Sequence, residues 1–498
     1  MSRRSEGLRA VGQMWATAAE PLLPVRCDFP FVPYPPEVLD RYRDAVLAVL
    51  ARTGVRVDSE RARAVFAEHG ARPDPATGVV RLEPGFVLEA LSRAPRRFTL
   101  GSREGDCDLD LQPGVTWNTT NGCGSEVLDW RSGVRRPSTR DDLAAITRAV
   151  DFLGSVQFWW PTVAATDCGV THALHELEVG WTNTVKHLQG MVQGEEQARL
   201  AVEMARAVAG SEERLRRRPP LSALIGTVQP LVLDRDGTDA ALVFAAAGVP
   251  VCFVSMPTYG TTAPATRAGA IVMGVAEMVA GAVLLQLASP GAPVLLFPLP
   301  VHADPRTAAV LTAPLDHRGL CLGPALVHHF GLPAMTGYAG TDDERAGTWL
   351  AAAETAHTVM LSALFGAELM TTIGLTATYQ LFVAEHLLLD DDIYRRAAWV
   401  LRDLPLDDEE LALDVIDEVG PGGHFLGHRH TRRHMKETVV RSIGQQFGPD
   451  GAAFRDPVEV ARERALVLLE EYEPRPLDDD VARELRRIVA HADATLTG

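Results

Sequence analysis

Between residues 139 and 400 short apolar runs alternate with long helical segments, and no other feature restricts the fold as much. The runs at 156–161, 187–192, 221–227, 249–255, 293–297, 333–337 and 369–373 read as strands. They are near-continuous apolar stretches, as in strands buried on both faces. Helical patterns fall between them, at 195–208, 236–247, 266–288, 321–330 and 342–366. A further helix is expected from 139, where Ser138-Thr-Arg-Asp-Asp-Leu sets a capping residue ahead of acidic first-turn residues. Repeated β-then-α at this spacing places successive strands parallel. Roughly seven or eight such units suit an α/β fold of the TIM (β/α)8 barrel type; an open doubly wound sheet is the runner-up. No Gly-x-Gly-x-x-Gly follows the first strands and no P-loop is present, so nucleotide binding has no local support. Residues 1–138 read as an N-terminal extension packed on the barrel, with helices near 36–53, 59–69 and 84–93 and short strands over 98–135. Residues 139–400 read as the barrel, and 401–498 as a helical C-terminal segment.

Composition narrows the function. The net charge of −17 gives no electrostatic reason to bind nucleic acid. Six scattered cysteines without a Cys-x-x-Cys pair argue for a reducing compartment. Two arginines near the N-terminus are followed by no apolar core of a signal peptide. The apolar stretch 270–288 carries Glu277 and many small residues, which fits a buried helix rather than a membrane span. A cytoplasmic homo-oligomer is expected, with neither membrane nor nucleic-acid partner.

In a barrel the chemistry gathers at the carboxyl ends of the strands. Those ends carry Phe158-Trp159-Trp160-Pro161, Ser255-Met-Pro-Thr-Tyr-Gly-Thr-Thr262 and Thr336-Gly-Tyr-Ala-Gly-Thr-Asp-Asp343. Aromatic faces in a concave site hold a quaternary ammonium by cation–π attraction, about 0.5–2 kcal/mol per ring. Trp159 and Trp160 fit such a cage or plain core packing; Tyr259, flanked by Gly260 and hydroxyl residues, is harder to read as core. Asn183, where a helix leads into the next strand, can bind a carboxylate or hold a loop. Glu277, in an otherwise apolar helix, needs a partner. That partner is an Arg such as Arg267 or a backbone amide if Glu277 is a brace; the other reading is catalytic.

Two histidine groups invite a metal reading. His172, His175 and Glu176 share one helix face at i, i+3 and i+4, and the alternative is an ordinary exposed or core helix. In Val419-Gly-Pro-Gly-Gly-His-Phe-Leu-Gly-His-Arg-His-Thr431, His424, His428 and His430 could ligate zinc. The same segment could instead be a rigid glycine-built loop that closes a cavity. Phe425-Leu426 between the histidines favours the loop, with part of it packed inward, so no metal ligand is assigned.

The ordered set of motifs resembles the trimethylamine methyltransferase superfamily, in its branch without pyrrolysine, which includes glycine betaine methyltransferases. The resembling residues are Gly122-Cys-Gly with Asp129 and Gly133-Val-Arg-Arg-Pro-Ser-Thr-Arg-Asp-Asp; His172 with Asn183-Thr-Val-Lys; Gly260-Thr-Thr-Ala-Pro-Ala-Thr with Ala276-Glu; Pro290-Gly-Ala-Pro; Thr341-Asp-Asp; Glu385 with Leu389-Asp-Asp-Asp-Ile; and Val419-Gly-Pro-Gly-Gly-His-Phe-Leu with His430-Thr. The resemblance implies a TIM barrel that moves a methyl group from an amine to the cobalt of a corrinoid (cobalamin) carried by a separate protein. The chain has no Asp-x-His-x-x-Gly, the motif of such carriers, so no tightly bound cofactor is expected. A quaternary ammonium already carries the charge that makes its amine a good leaving group, so no acid, base or covalent residue is expected. The substrate-binding candidates are Trp159, Trp160, Tyr259, Tyr338 and Tyr379 as a cage, and Asn183, Thr261 and Thr371 as polar orienting groups. His424 and Gly422 would shape the closing loop. The pattern departs from relatives at Thr371-Thr372-Ile373-Gly374, where a His-Asp pair is expected before the glycine. The rival expectations are a zinc-dependent barrel methyltransferase and a non-catalytic betaine-binding barrel.

Overall fold

Eight parallel strands close into a barrel, and each is followed by a helix. The computed structural model describes residues 19–27, 31, 34–311, 317–338, 340–402, 406–435, 442–448, 451 and 453–496. The N-terminal arginines and the expected helix start at 404–405 lie outside the described residues. The barrel elements are β1 Val115–Thr120, α1 Arg140–Phe152, β2 Phe158–Trp159, α2 His172–Asn183, β3 His187–Gly190, α3 Glu195–Ala209, β4 Leu221–Gly226 and α4 Arg235–Ala247. They continue as β5 Val251–Ser255, α5 Arg267–Ala288, β6 Val294–Pro298, α6 His317–His329, β7 Met335–Gly337, α7 Trp349–Leu364, β8 Leu369–Ile373 and α8 Ala384–Val400.

Parallel pairing runs from β2 through β3, β4 and β5 to β6. A bridge from Leu296 to Ala334 joins β6 to β7, and β7, β8 and β1 continue in parallel. The ring closes where Gln157 N donates to Asn118 O at 2.8 Å and Cys123 N to Pro161 O at 2.7 Å. The barrel therefore opens at Val115, not at 139. The first strand, Val-Thr-Trp-Asn-Thr-Thr, has no aliphatic run, and its polar side chains disguise it. They serve as ties between strands: Thr119 Oγ1 donates to Phe158 O at 2.7 Å, and Asn118 Oδ1 accepts from Thr372 Oγ1 at 2.8 Å.

Period-two alternation sorts the strand residues into two cores. Phe158, Trp160, Leu224, Cys252, Val254, Leu295, Phe297, Met335 and Leu369 form the interior cluster. Trp159, Leu188, Leu221, Phe253, Leu296 and Met370 face the helices instead. The amino-terminal end of the barrel is plugged by the hairpin Phe98–Leu100 and Leu109–Leu111, whose leucines join the interior cluster. Beside it His187 Nδ1 meets Gly101 O at 2.8 Å, and burial pushes its imidazole down to about 4, so it stays neutral.

The outer elements explain the apolar α5. It is long and apolar enough to cross a membrane, yet 83% of its most apolar stretch is buried within the protein. Helices Pro36–Arg52, Glu60–Glu68 and Pro84–Leu91 of the N-terminal extension cover it. At the other end of the chain, helix Pro457–Glu471 packs on α8 and α1, and Asp479–Leu496 packs on α3 and α2.

Candidate active site at the barrel mouth

The carboxyl ends of the strands bring together one set of side chains. Trp160, just past β2, points inward and is 8% exposed. Its indole lies over Gly122 so closely that a Cβ there would overlap the ring. Gly122 belongs to the segment that zips β1 to β2, where Gly124 N donates to Thr162 O at 3.0 Å. Cys123, Met191 and Met256 pack around the same interior cluster, with Cys123 Sγ 3.3 Å from Met191 Sδ. The lining is thus one indole and three sulfur side chains, polarizable surfaces that suit methylated ammonium groups.

Below Met191 on β3 lies Gln189, which alternation turns into the barrel between Met191 and His187. It is fully buried, and neither end of its amide has a hydrogen-bond partner. Each unsatisfied buried group costs about 1–3 kcal/mol. A buried amide open at both ends leaves a donor and an acceptor available to a bound group. Sequence reasoning missed Gln189; the available signal was a lone amide at an inward position of an apolar strand.

The loops after β5 and β6 are joined at the rim. Tyr259 N donates to Val301 O at 3.1 Å, and the Tyr259 ring sits 4.5 Å from His302, tilted by 41°. Beneath them Glu277 of α5 is fully buried and accepts from Leu231 N at 2.7 Å, Thr227 Oγ1 at 2.7 Å and Ser255 Oγ at 2.8 Å. Burial pushes this carboxyl up, and those donors oppose the shift. Glu277 is therefore a brace on the ends of β4 and β5 through a backbone amide and hydroxyls, outside the interior cluster.

On the opposite side Asn121 ties three strand ends. Its Nδ2 donates to Tyr338 O at 2.5 Å and to Thr371 Oγ1 at 3.3 Å, and its Oδ1 accepts from Leu375 N at 3.3 Å. Thr371 spends its own proton on Thr120 O at 2.9 Å. Tyr338 is buried at the end of β7. The following loop, Thr341-Asp-Asp343, holds a left-handed turn after β8: Ala377 N donates to Asp343 O at 2.8 Å and Thr378 N to Thr341 O at 2.9 Å. Ala377, Thr378 and Tyr379 all have φ between 52° and 59°. Such a run in non-glycine residues persists only when surrounding bonds impose it.

Glu354 of α7 anchors that arrangement by accepting from Thr341 Oγ1 at 2.5 Å. Burial raises its carboxyl from the ordinary 4.5 to about 7, against the Thr341 bond and with help from Asp342. The folded state thus favours the protonated acid. Its contribution to stability is full below 4.5 and is lost as pH rises to about 7. Glu354→Gln is expected to flatten thermal melting against pH across that window; an unchanged slope would remove Glu354 as its source.

Several sequence expectations do not converge on the mouth. Trp159 alternates to the outside, where Nε1 donates to Thr147 Oγ1 at 3.0 Å, so it packs core rather than joining a cage. Asn183 lies at the far end of α2, accepting from Arg148 and donating to Val179 O. Its neighbours do structural work there: Thr184 Oγ1 bonds Asp151 at 2.6 Å, and Lys186 Nζ caps α1 at Val150 O and Leu153 O. Thr261 is exposed on a turn, with Oγ1 on Thr258 O. Tyr379 packs against the outer core. His424, Phe425 and Leu426 are all exposed, so this loop packs nothing inward. His428 instead pairs with Glu418 at 3.2 Å, so the three histidines 424, 428 and 430 do not gather on one point. His172 pairs with Glu176, whereas His175 turns to Asp493. Trp160, Tyr259, Tyr338 and Thr371 remain at strand ends.

The two tryptophans give a direct comparison. Trp160→Leu is expected to lower kcat/KM about 2- to 30-fold, the worth of one ring on a cation. Trp159→Phe should cost stability and leave kcat/KM nearly unchanged. The reverse pattern in steady-state kinetics would reassign the cage.

A closed (β/α)8 barrel with its polar and aromatic groups gathered at the carboxyl ends of the strands is the architecture of a barrel enzyme. The chain belongs to the trimethylamine methyltransferase family, whose model matches residues 2–497. It is 32% identical over 467 residues to trimethylamine methyltransferase MttB of Desulfitobacterium hafniense, covering 92% of this chain and 93% of that protein. It is 27% identical over 461 residues to a glycine betaine methyltransferase from another strain of that species, covering 91% and 95%. The fold matches the crystal structure of the Methanosarcina barkeri monomethylamine methyltransferase with a TM-score of 0.51, covering 94% and 92% of the two chains at 12% identity. The chain is a methyltransferase.

Proposed function

We propose that this enzyme moves a methyl group from a betaine-like quaternary amine to Co(I) of a corrinoid held on a separate protein. The relatives named for trimethylamine and glycine betaine support the substrate class. The observation that carries the reading is the interior wall of Trp160, Cys123, Met191 and Met256 set above the unpartnered Gln189. The wall suits a trimethylammonium head, and the Gln189 amide suits a carboxylate or another polar tail. In the transfer, the cobalt lone pair forms the Co–C bond while the N–CH3 bond breaks and its electrons return to nitrogen. A quaternary amine leaves as a neutral tertiary amine, so no proton has to move. The chain then needs only to bind, orient and exclude water. The corrinoid is the methyl acceptor and arrives on its carrier, in keeping with the missing carrier motif. The same reading takes the enzyme to be a cytoplasmic homo-oligomer.

The test is to mix the enzyme with reduced cob(I)alamin and a panel of methylated amines and to follow the absorbance of methylcobalamin. Quaternary amines are expected to react fastest. Binding by calorimetry with no methyl-cobalt signal from any quaternary or tertiary amine would leave a non-catalytic binder and overturn the reading.

A further inference from the structure

Residues 406–435 form an arm with no core of its own. Its three short helices, Asp408–Leu411, Leu413–Val419 and Arg429–His434, bury no residue at all. Leu406, Leu413, Ile416 and Leu426 are each more than half exposed. Units shorter than about 40 residues seldom fold on apolar packing alone; they use disulfides, metals or oligomerisation. The arm has no cysteine. Hydrogen bonds to one residue hold its two ends together. Glu409 Oε1, on the first helix, meets His434 Nε2 at 2.9 Å, and its backbone carbonyl lies 3.3 Å from His430 Nε2.

His430 and His434 are one helical turn apart on the same face, and their rings lie 4.4 Å apart. The ligand atoms of Glu409, His430 and His434 all fall within 4.8 Å of one another. In a tetrahedral site with bonds of about 2.0–2.1 Å, neighbouring ligand atoms are about 3.3 Å apart. Small side-chain shifts would close the set on one ion. We infer that Glu409, His430 and His434 form a zinc site that holds the arm together. Two imidazoles and one carboxylate are a common donor set for zinc, and the fourth position is left to water. Arg433 Nη1 also donates to Glu409 Oε1 at 2.9 Å, a bond that ion binding would replace. This trio is not the one the glycine-rich segment suggests: of His424, His428 and His430, only His430 takes part. The ion lies on the arm and has no part in the methyl-transfer chemistry.

The experiment uses the full chain purified without a polyhistidine tag, dialysed against micromolar zinc and analysed for metal. About one zinc per chain is expected for the wild type and for His424→Ala, an exposed histidine outside the trio. Glu409→Gln and His434→Ala should each lose at least about tenfold in affinity. All four proteins should keep the same circular dichroism, because the arm's helices bury no residue. Limited trypsin digestion at Arg429, Arg432 and Arg433 gives a second readout. Zinc should slow cleavage in the wild type and in His424→Ala, and not in His434→Ala. No zinc above background in the wild type, or equal zinc in the trio variants, overturns the site. Protection that follows protein concentration rather than zinc would also overturn it, and would assign the arm to a second copy of the chain.

Discussion

Replacing Gln189 with leucine is expected to make the substrate-free enzyme more stable and the working enzyme slower. Leucine fills a similar volume and carries no polar atom. It removes a buried amide whose two ends are unpartnered, a gain of about 1–3 kcal/mol. The same change removes a buried amide open at both ends from the wall under Met191. A hydrogen bond to a charged substrate group is worth about 1.5–3 kcal/mol, so kcat/KM should fall about 10- to 100-fold. Urea unfolding and steady-state kinetics on one preparation measure both. A variant that gains stability with full activity would make Gln189 a buried group without a substrate role. A variant that loses stability would mean the amide is satisfied in solution by ordered water.

Gly122→Ala should have the opposite sign in stability and a comparable effect on rate. The added methyl would overlap the six-membered ring of Trp160. Overpacking of this kind costs about 1–3 kcal/mol. The backbone at 122 is fixed by Cys123 and Gly124 pairing to the strand beyond Trp160, so the ring has to move. Displacing the ring costs at most what its removal costs, so kcat/KM should fall up to about 30-fold. Gly122→Ala with Trp160→Leu should be less damaging to stability than Gly122→Ala alone, because the smaller side chain relieves the clash. Additive losses would show that the indole does not lean on Gly122.

The barrel was legible because parallel strands buried on both faces are apolar runs, and helices with capping signals separate them. β5, β6 and β8 fall within two residues of their expected limits. β1 was legible only as one of the short strands over 98–135 and not as a barrel strand, because Thr119, Asn118 and Thr120 hold it by hydrogen bonds rather than by aliphatic packing. The site was half legible. Aromatic residues at strand ends pointed to Trp160 and Tyr259, but adjacent residues on a strand face opposite sides. One of Trp159 and Trp160 had to point outward, and the pattern within β2 is too short to say which. Asn183-Thr-Val-Lys marks the family, yet the structure uses it at the closed end of the barrel to bind α1 and, through Asp151, Tyr472 of the C-terminal segment. Motif position along the chain did not reveal which end of the barrel it served. The glycine-rich loop gave its backbone freedom away, with positive φ at Gly420 and Gly422, but not what it contacts.

The central claim is methyl transfer from an amine held against Trp160 and Gln189 to cobalt. Its most direct measurement uses glycine betaine carrying ¹³C in its N-methyl groups, excess cob(I)alamin and the enzyme, followed by ¹³C NMR. The expected result is a growing methyl-cobalt resonance matched by loss of labelled betaine and appearance of dimethylglycine, and slowed by Gln189→Leu. No methyl-cobalt resonance with labelled betaine, nor with any other labelled quaternary or tertiary amine of the panel, would contradict it.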